Sequence, residues 1–566
     1  MDIIQTLAQQ LNLTAEQVGK TVQLIDEGNT IPFIARYRKE VTGSLDDSVL
    51  RTLDEKLTAL RNLAQRKQEV QDLIGAQGKL TEEVRAAIER AATVTEVDDI
   101  YRPFRPKRKT RASVARERGL EDLAILLFAQ EKSYTPSIEE QAARFVDPER
   151  EVPDVAAALQ GAMDIVAEEV SDNADYRREL RRLTFDAGSL TSKAAKEEDS
   201  VYAMYYDFSE PLRKLPGHRI LAIHRGEKEE FLKVALTVPE DVVLGYLYNR
   251  VLSGNRSPAE PYVREAVTDA YNRLIAPSIE REIRNDLFDT ACEGAIKVFS
   301  DNLGHLLMQP PLKGKVVLGF DPGYAHGCKL AVVDPTGKVL DTAVVYPTIK
   351  PRAEEAARVV KRLIRNYAVD VVAIGNGTAS RESEAFIAGL LKQIEKPCKY
   401  IIVSEAGASI YSASQLAAEE FPDFDVMQRS AVSIARRLQD PLAELVKIDP
   451  KGIGIGQYQH DMKQAQLDEA LGGVVESCVN AVGVDINTAS YSLLSYIAGI
   501  NQTAAKNIVK YREENGAFTT RGQVTKVPRI GAKAFQQCAG FLRVPGGREA
   551  LDNTGVHPES YDCARR

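Results

Sequence analysis

The chain has 566 residues, 44% apolar and 27% charged, with 73 Lys and Arg against 81 Asp and Glu and a formal net charge of −8. That length exceeds one hydrophobic core and predicts roughly three to five domains of a globular protein, with no apolar run near the ~20 residues a bilayer span needs. The acidic balance gives no whole-chain attraction for nucleic acid, so any such binding must come from local basic patches.

The start, Met1-Asp2-Ile3-Ile4-Gln5, lacks a basic stretch followed by an apolar core, which argues against secretion. Six cysteines (Cys292, Cys328, Cys398, Cys478, Cys538, Cys563) lie far apart with no CxxC, and no His is spaced i, i+4 from another His or Cys. The expectation is reduced thiols in a cytoplasm, no Cys-based zinc site and no membrane partner.

Residues 1 to about 195 read as helices, with Ile3-Ile4, Leu7, Leu11 and Val18, Val22, Ile25 at helical spacing and Thr14 as N-cap. Gly28-Asn29-Thr30-Ile31-Pro32-Phe33 breaks the first helix and opens another carrying Arg36, Tyr37, Arg38 and Lys39, a helix-turn-helix or an ordinary helical corner. Arg102-Pro103-Phe104-Arg105-Pro106-Lys107-Arg108-Lys109 starts a basic run to Arg118, which the prolines place on a loop. Arg105, Lys107, Arg108 and Lys109 are candidate phosphate contacts, unless the acids upstream (Glu96, Asp98, Asp99) neutralise the arm. Arg177-Arg178-Glu179-Leu180-Arg181-Arg182 reads as a solvated helix face. His218–Arg225 and Phe231–Val238 flank Gly226-Glu227-Lys228 as a small hairpin, and 240–305 is helical again.

From Val316 the period switches. Strands are predicted at 316–321, 328–333, 338–345, 369–374 and 399–404, and helices near 352–366, 381–394, 408–419 and 428–438. Three strands followed by strand and helix in alternation describe a mixed sheet covered by helices. The first strand ends on Asp321 before Pro322-Gly323, either a simple Asp-Pro-Gly turn or an acid that needs a metal, a cation or backbone N–H groups. Glu405 ends the last strand; carboxylates at strand ends gather at one sheet edge and can hold Mg²⁺ or Mn²⁺. Gly319-Phe320-Asp321-Pro322-Gly323 and Ser404-Glu405-Ala406 resemble the ribonuclease H-like domains of the YqgF and Holliday-junction resolvase group. That resemblance implies a third acid at the opening of the last helix, where Gln428-Arg429-Ser430-Ala431 stands; Asp425 and Asp440 are nearest, and Asp440 precedes Pro441 as a helix N-cap would. The alternative function is thus a metal-dependent nuclease with Asp321, Glu405 and Asp440 catalytic and Asp321 and Glu405 on the metal. No cofactor is expected otherwise.

Lys451-Gly452-Ile453-Gly454-Ile455-Gly456 lacks the GK[ST] of a phosphate loop and reads as a strand-like or bulged segment that neighbours approach closely. Leu494–Arg512 and Val524–Phe535 form a tandem of helix-hairpin-helix candidates with Gly499 and Gly531 in equivalent places, Ile500 and Ile530 at the tips, and Lys506 and Lys533 following. Glycine lets backbone N–H groups approach a phosphate while Lys or Arg, here including Arg529, adds charge; such hairpins also serve as packing units. Asn501 replaces the usual second glycine, which asparagine's tolerance of positive φ allows.

The order helical N-terminus, ribonuclease H-like domain and tandem hairpins resembles the bacterial Tex family over essentially the whole chain. Supporting residues are Gly28 to Gly43, Tyr101 to Thr110, Gly319 to Gly323, Ile448 to Asp461 and Gly483 to Asn487. The resemblance implies a multidomain, mainly α protein with one α/β ribonuclease H-like (YqgF-type) domain and a tandem helix-hairpin-helix domain. Its implied boundaries are a helical region 1–195, a central helical region with a small hairpin 196–312, the YqgF-type domain 313–456, the hairpins 457–545 and an irregular tail 546–566. It further implies a cytoplasmic nucleic-acid-binding scaffold in transcription, with RNA or DNA as partner, or else a protein-interaction platform for RNA polymerase or other transcription machinery. Tex proteins continue past Asp552–Tyr561 into an OB-fold RNA-binding domain; this chain reads Asp562-Cys563-Ala564-Arg565-Arg566 there, so a truncation before that platform is expected.

Overall fold

The computed structural model describes residues 2–106, 109–196, 198–395 and 397–566. It forms two compact units, one built mainly from Glu55–Gly294 and the other from Ala8–Asp54 together with Ala295–Arg566. Residues 8–54 thus group with the second unit, whereas helical periodicity suggests a single helical region over 1–195. Among the described residues, no helix is long and apolar enough to cross a membrane.

The first unit is helical, with N-caps supplied by Thr110, Ser137, Asp154 and Asn173. It also holds a three-stranded antiparallel sheet in the order β2-β1-β3, from β1 (Ser189–Ala194), β2 (Asp207–Pro211) and β3 (Leu232–Thr237). This corrects the predicted hairpin: His218–Arg225 lies in the helix Gly217–Lys228, whose buried Ile220, Leu221 and Ile223 fit a helical stripe. β3 pairs instead with β1, Leu236 opposite Leu190, and β1 has too few apolar residues to betray a strand.

The Arg177 cluster is a second correction. Arg178 and Arg182 make exposed pairs within the helix Ala174–Ala187, but Arg177 is 0% exposed. It donates to Asp99 (2.7 Å), Ser278 (2.8 Å) and Glu282 (3.0 Å), and Arg181 donates to Asp99 and Glu282 as well. A buried guanidinium is tolerable only when paired and hydrogen-bonded in this way. Hydrogen bonds from Arg181 hold the Glu282 carboxyl below its usual range against the effect of burial.

The second unit contains the five-stranded sheet that its sequence predicts: β4 (Val317–Asp321), β5 (Cys328–Val333), β6 (Val339–Val345), β7 (Val371–Gly375) and β8 (Lys399–Val403), in the order β6-β5-β4-β7-β8. β4–β6 are antiparallel; β7 and β8 run parallel to β4. Alternation along β4 decides which helix lies where. Leu318 and Phe320 pack with Val360, Leu363 and Ile387 of the helices Lys350–Asn366 and Ser380–Leu391. Val317 packs on the opposite face with Ile434 and Ala435 of Val426–Gln439. Gly319 is required because a methyl group there would collide with the Ala431 carbonyl oxygen of that helix.

The Gly452–Gly456 segment is not a strand. It holds a 3-10 turn, Pro450–Ile453, ending on Gly454 at φ 73°, and Phe299 closes on Gly456 so tightly that no Cβ would fit. The region after Asn553 is more ordered than the expected irregular tail. Arg521, 1% exposed, donates to the carbonyls of Leu542, Thr554 and Val556 and to the Tyr561 hydroxyl, which fastens 554–561 to the hairpins.

Candidate nucleic-acid interface and acidic site

The first hairpin turns at Gly499, φ 78°, between Tyr491–Leu494 and the helix Gln502–Asn515. Asn501 sits at φ −86° and its side chain accepts from Ala504 N–H, so it works as an N-cap; its tolerance of positive φ is not used. The second hairpin turns at Arg529, φ 73°, and Gly531 at φ −85° is the N-cap of Ala532–Cys538. With Ile500 and Ile530 both buried at the tips, Gly499 matches Arg529 and Asn501 matches Gly531. That corrects the expected Gly499–Gly531 equivalence by two residues, and it leaves Lys506 and Lys533 unmatched.

Arg529 and Lys506 are exposed, with the Lys506 ammonium 5.1 Å over the Tyr491 ring. Lys533 is exposed as well, and its Nζ donates to the Glu27 carbonyl (2.6 Å) at the end of the helix Ala15–Asp26. The same seam holds Thr30 and Asn29 against Gln537, Arg36 against the carbonyls of Asn480 and Ala481, and Arg38 against Glu559. Phe33, Tyr37, Phe541 and His557 pack within it in tilted and edge-to-face pairs. The basic, aromatic stretch after Gly28 is thus an internal clasp, a role that sequence reasoning misses.

The basic arm lies in the first unit. Arg105 faces Asp98 at 3.1 Å and the Tyr101 ring, Arg116 donates to Glu168 (2.6 Å), and Arg118 pairs with Glu151. Lys109 is exposed, and Lys107 and Arg108 lie outside the described residues. Much of the arm's charge is therefore met by the protein's own carboxylates.

At the sheet edge, Asp321 and Glu405 come near enough to repel. Burial, the larger cause, raises the Asp321 carboxyl against a hydrogen bond from Ser430 and the attraction of Lys329; burial and then Asp321 raise Glu405 against a bond from Gly377 N–H. Gly375 and Gly377 leave the space that Glu405 fills. Lys329, 8% exposed, stands opposite Asp321 in the β4–β5 register, a neighbour readable from the predicted strand pair. Arg437, 4% exposed, donates to the Ser404 and Ala406 carbonyls and holds the Glu405 turn.

Asp440 is not part of this edge. It accepts from Ala443 N–H as the N-cap of Pro441–Leu445, and ten positions of helix, about 15 Å, separate it from Ser430. Asp425 likewise caps Val426–Gln439. Among the described residues, no group of three or more His, Cys, Asp or Glu is placed to hold a metal. The divalent ion that a ribonuclease H-like fold implies does not fit this donor set: two acids, a serine in the third place and an ammonium opposite. Since a raised carboxyl loses stability as pH climbs through the window between its unfolded and folded values, Asp321→Asn is expected to raise the melting temperature more at pH 8 than at pH 4. Calorimetry measures both shifts; equal values at the two pH settings would mean that the buried carboxyl is not held above its usual range.

Family models match along the chain: the Tex-like protein N-terminal domain at residues 1–75, the Tex central region-like model at 133–299, the Tex protein YqgF-like domain at 315–439 and the helix-hairpin-helix motif at 479–543. The chain is 50% identical to "Uncharacterized protein YdcI" of Bacillus subtilis over 564 residues, 98% of this chain and 78% of that one. It is 46% identical to "Protein tex" of Bordetella pertussis, covering 100% and 73%, and 46% identical to "Transcriptional accessory protein Tex" of Neisseria gonorrhoeae, covering 99% and 74%.

Proposed function

The chain belongs to the Tex family, and from that premise we propose that it binds nucleic acid through its tandem hairpins and serves transcription as a scaffold without cleaving what it binds. The observation that carries the reading is the matched pair of tips: two turns in left-handed conformation, each locked by a buried isoleucine, with Arg529 and Lys506 exposed beside them. Phosphate contacts of this kind give weak, salt-sensitive, sequence-tolerant affinity. The name of the gonococcal relative speaks for transcription. The two-acid edge with Lys329 and Ser430 speaks against metal-dependent cleavage.

Reversing Lys506 and Arg529 to glutamate together is expected to weaken binding of single-stranded RNA and duplex DNA alike and to flatten the slope of log affinity against log salt by about 2. An unchanged slope would remove the hairpins from the interface. Scoring the same probes with Mg²⁺ or Mn²⁺ tests the rest: cleavage abolished by Asp321→Asn would restore the nuclease reading.

A further inference from the structure

The step along the chain that carries Gly499 to Arg529 and Asn501 to Gly531 also carries Asn507 to Gln537. Each of these two amides lies on the helix that follows one tip and reaches the turn of the other hairpin. The half-buried Asn507 donates from Nδ2 to the Pro528 carbonyl oxygen (2.9 Å), one residue before Arg529. Gln537 closes on Gly499 so tightly that a Cβ there would stand 2.6 Å from the Gln537 Cβ and 3.0 Å from the Ala534 carbonyl oxygen. The two turns are thus braced by each other's helices.

The braces differ in what else they hold. Gln537 is 3% exposed, and its side-chain amide is bonded to Asn29 and Thr30, so it also belongs to the clasp. The bond from Asn507 is local to the hairpins. Pro528 has no N–H, which leaves its carbonyl as the backbone group that a neighbour can tie. The next residue, Arg529, keeps a left-handed backbone at φ 73°, which a non-glycine residue retains only where its surroundings impose it. Here they are the buried Ile530, whose N–H donates to the Val527 carbonyl (3.2 Å), and Asn507 on Pro528. Lys506 precedes Asn507 on the same helix, so one side chain joins the backbone that carries Lys506 to the turn that carries Arg529.

On the reading that the hairpins meet nucleic acid, we infer that Asn507 is a positioning residue: it fixes the spacing at which Lys506 and Arg529 reach one phosphate backbone. A fixed spacing raises the effective concentration of the second contact once the first is made, and affinity rises with no added contact. Without the tie, each tip meets a phosphate independently of the other.

The test uses the full chain with single-stranded RNA and duplex DNA probes. Asn507→Leu, similar in size but without a donor, and Asn507→Ala are each expected to weaken binding about fivefold. The slope of log affinity against log salt should stay at the parent value, since no charge is lost, and the melting temperature within about 2 °C. A double-mutant cycle separates positioning from direct contact. In the parent, Lys506→Ala with Arg529→Ala should cost less than the product of the single losses, and in the Asn507→Leu background the losses should multiply. The inference is overturned if both Asn507 variants bind as the parent does, or if the coupling between Lys506 and Arg529 survives Asn507→Leu, which would make Asn507 a direct contact. Failure of the hairpin reading itself gives a different result: charge reversal at Lys506 and Arg529 would then leave affinity unchanged, and the role of Asn507 would fall with it.

Discussion

Arg521→Ala is expected to destabilise the carboxyl-terminal unit by about 3–5 kcal/mol, the loss typical of breaking a buried charged network on one side. The guanidinium donates to the carbonyls of Leu542, Thr554 and Val556, and truncation withdraws a donor from each of them. Asp552, which accepts from the Arg521 N–H and from the Tyr561 hydroxyl, would lose a nearby positive charge as well. Arg521→Lys should recover only part, since a compact ammonium cannot span acceptors that a planar fork reaches. Denaturant unfolding of the full chain measures both; an alanine variant within about 1 kcal/mol of the parent would mean that 554–561 is fastened by something else.

Asp99→Leu should cost the first unit a similar amount, about 3–5 kcal/mol, because Arg177 and Arg181 would then face Glu282 alone. The informative comparison is the double variant Asp99→Leu with Arg177→Met. Removing both partners of a buried pair leaves no orphaned charge, so the double variant should be more stable than Asp99→Leu by itself. Additive losses would show that Asp99 and Arg177 act independently.

The two networks also show why some of this molecule can be read in advance. The five strands and flanking helices of 317–439 follow from the short, continuously apolar run of β4 and a 3.6-residue stripe in Lys350–Asn366, both local patterns. Ile500 and Ile530 are legible as hairpin tips for the same reason. What escapes is long-range. Nothing near Arg177 announces Asp99 and Glu282, and nothing near Arg36 announces the carbonyls of 480 and 481. The hairpin register slips because glycine is an incomplete marker of the turn: in the second copy the left-handed residue is Arg529. β1 and β2 are hard to find because their sheet is stabilised by pairing partners, with few apolar residues of their own.

The seam between Ala8–Asp54 and the hairpins sets an order of events during synthesis. Thr30 and its partner Gln537 are 507 positions apart. At roughly 5–20 residues per second, the partner leaves the ribosome on the order of half a minute to two minutes after Thr30 does. Until then Phe33 and Tyr37 have neither Phe541 nor His557 to pack on, and the nascent chain carries an apolar segment in need of protection. Glu55–Gly294, compact in itself, is expected to fold during that interval and so shorten the loop that remains to be closed. The amino-terminal segment is in effect a delayed latch: the part translated first is among the last to reach its final place.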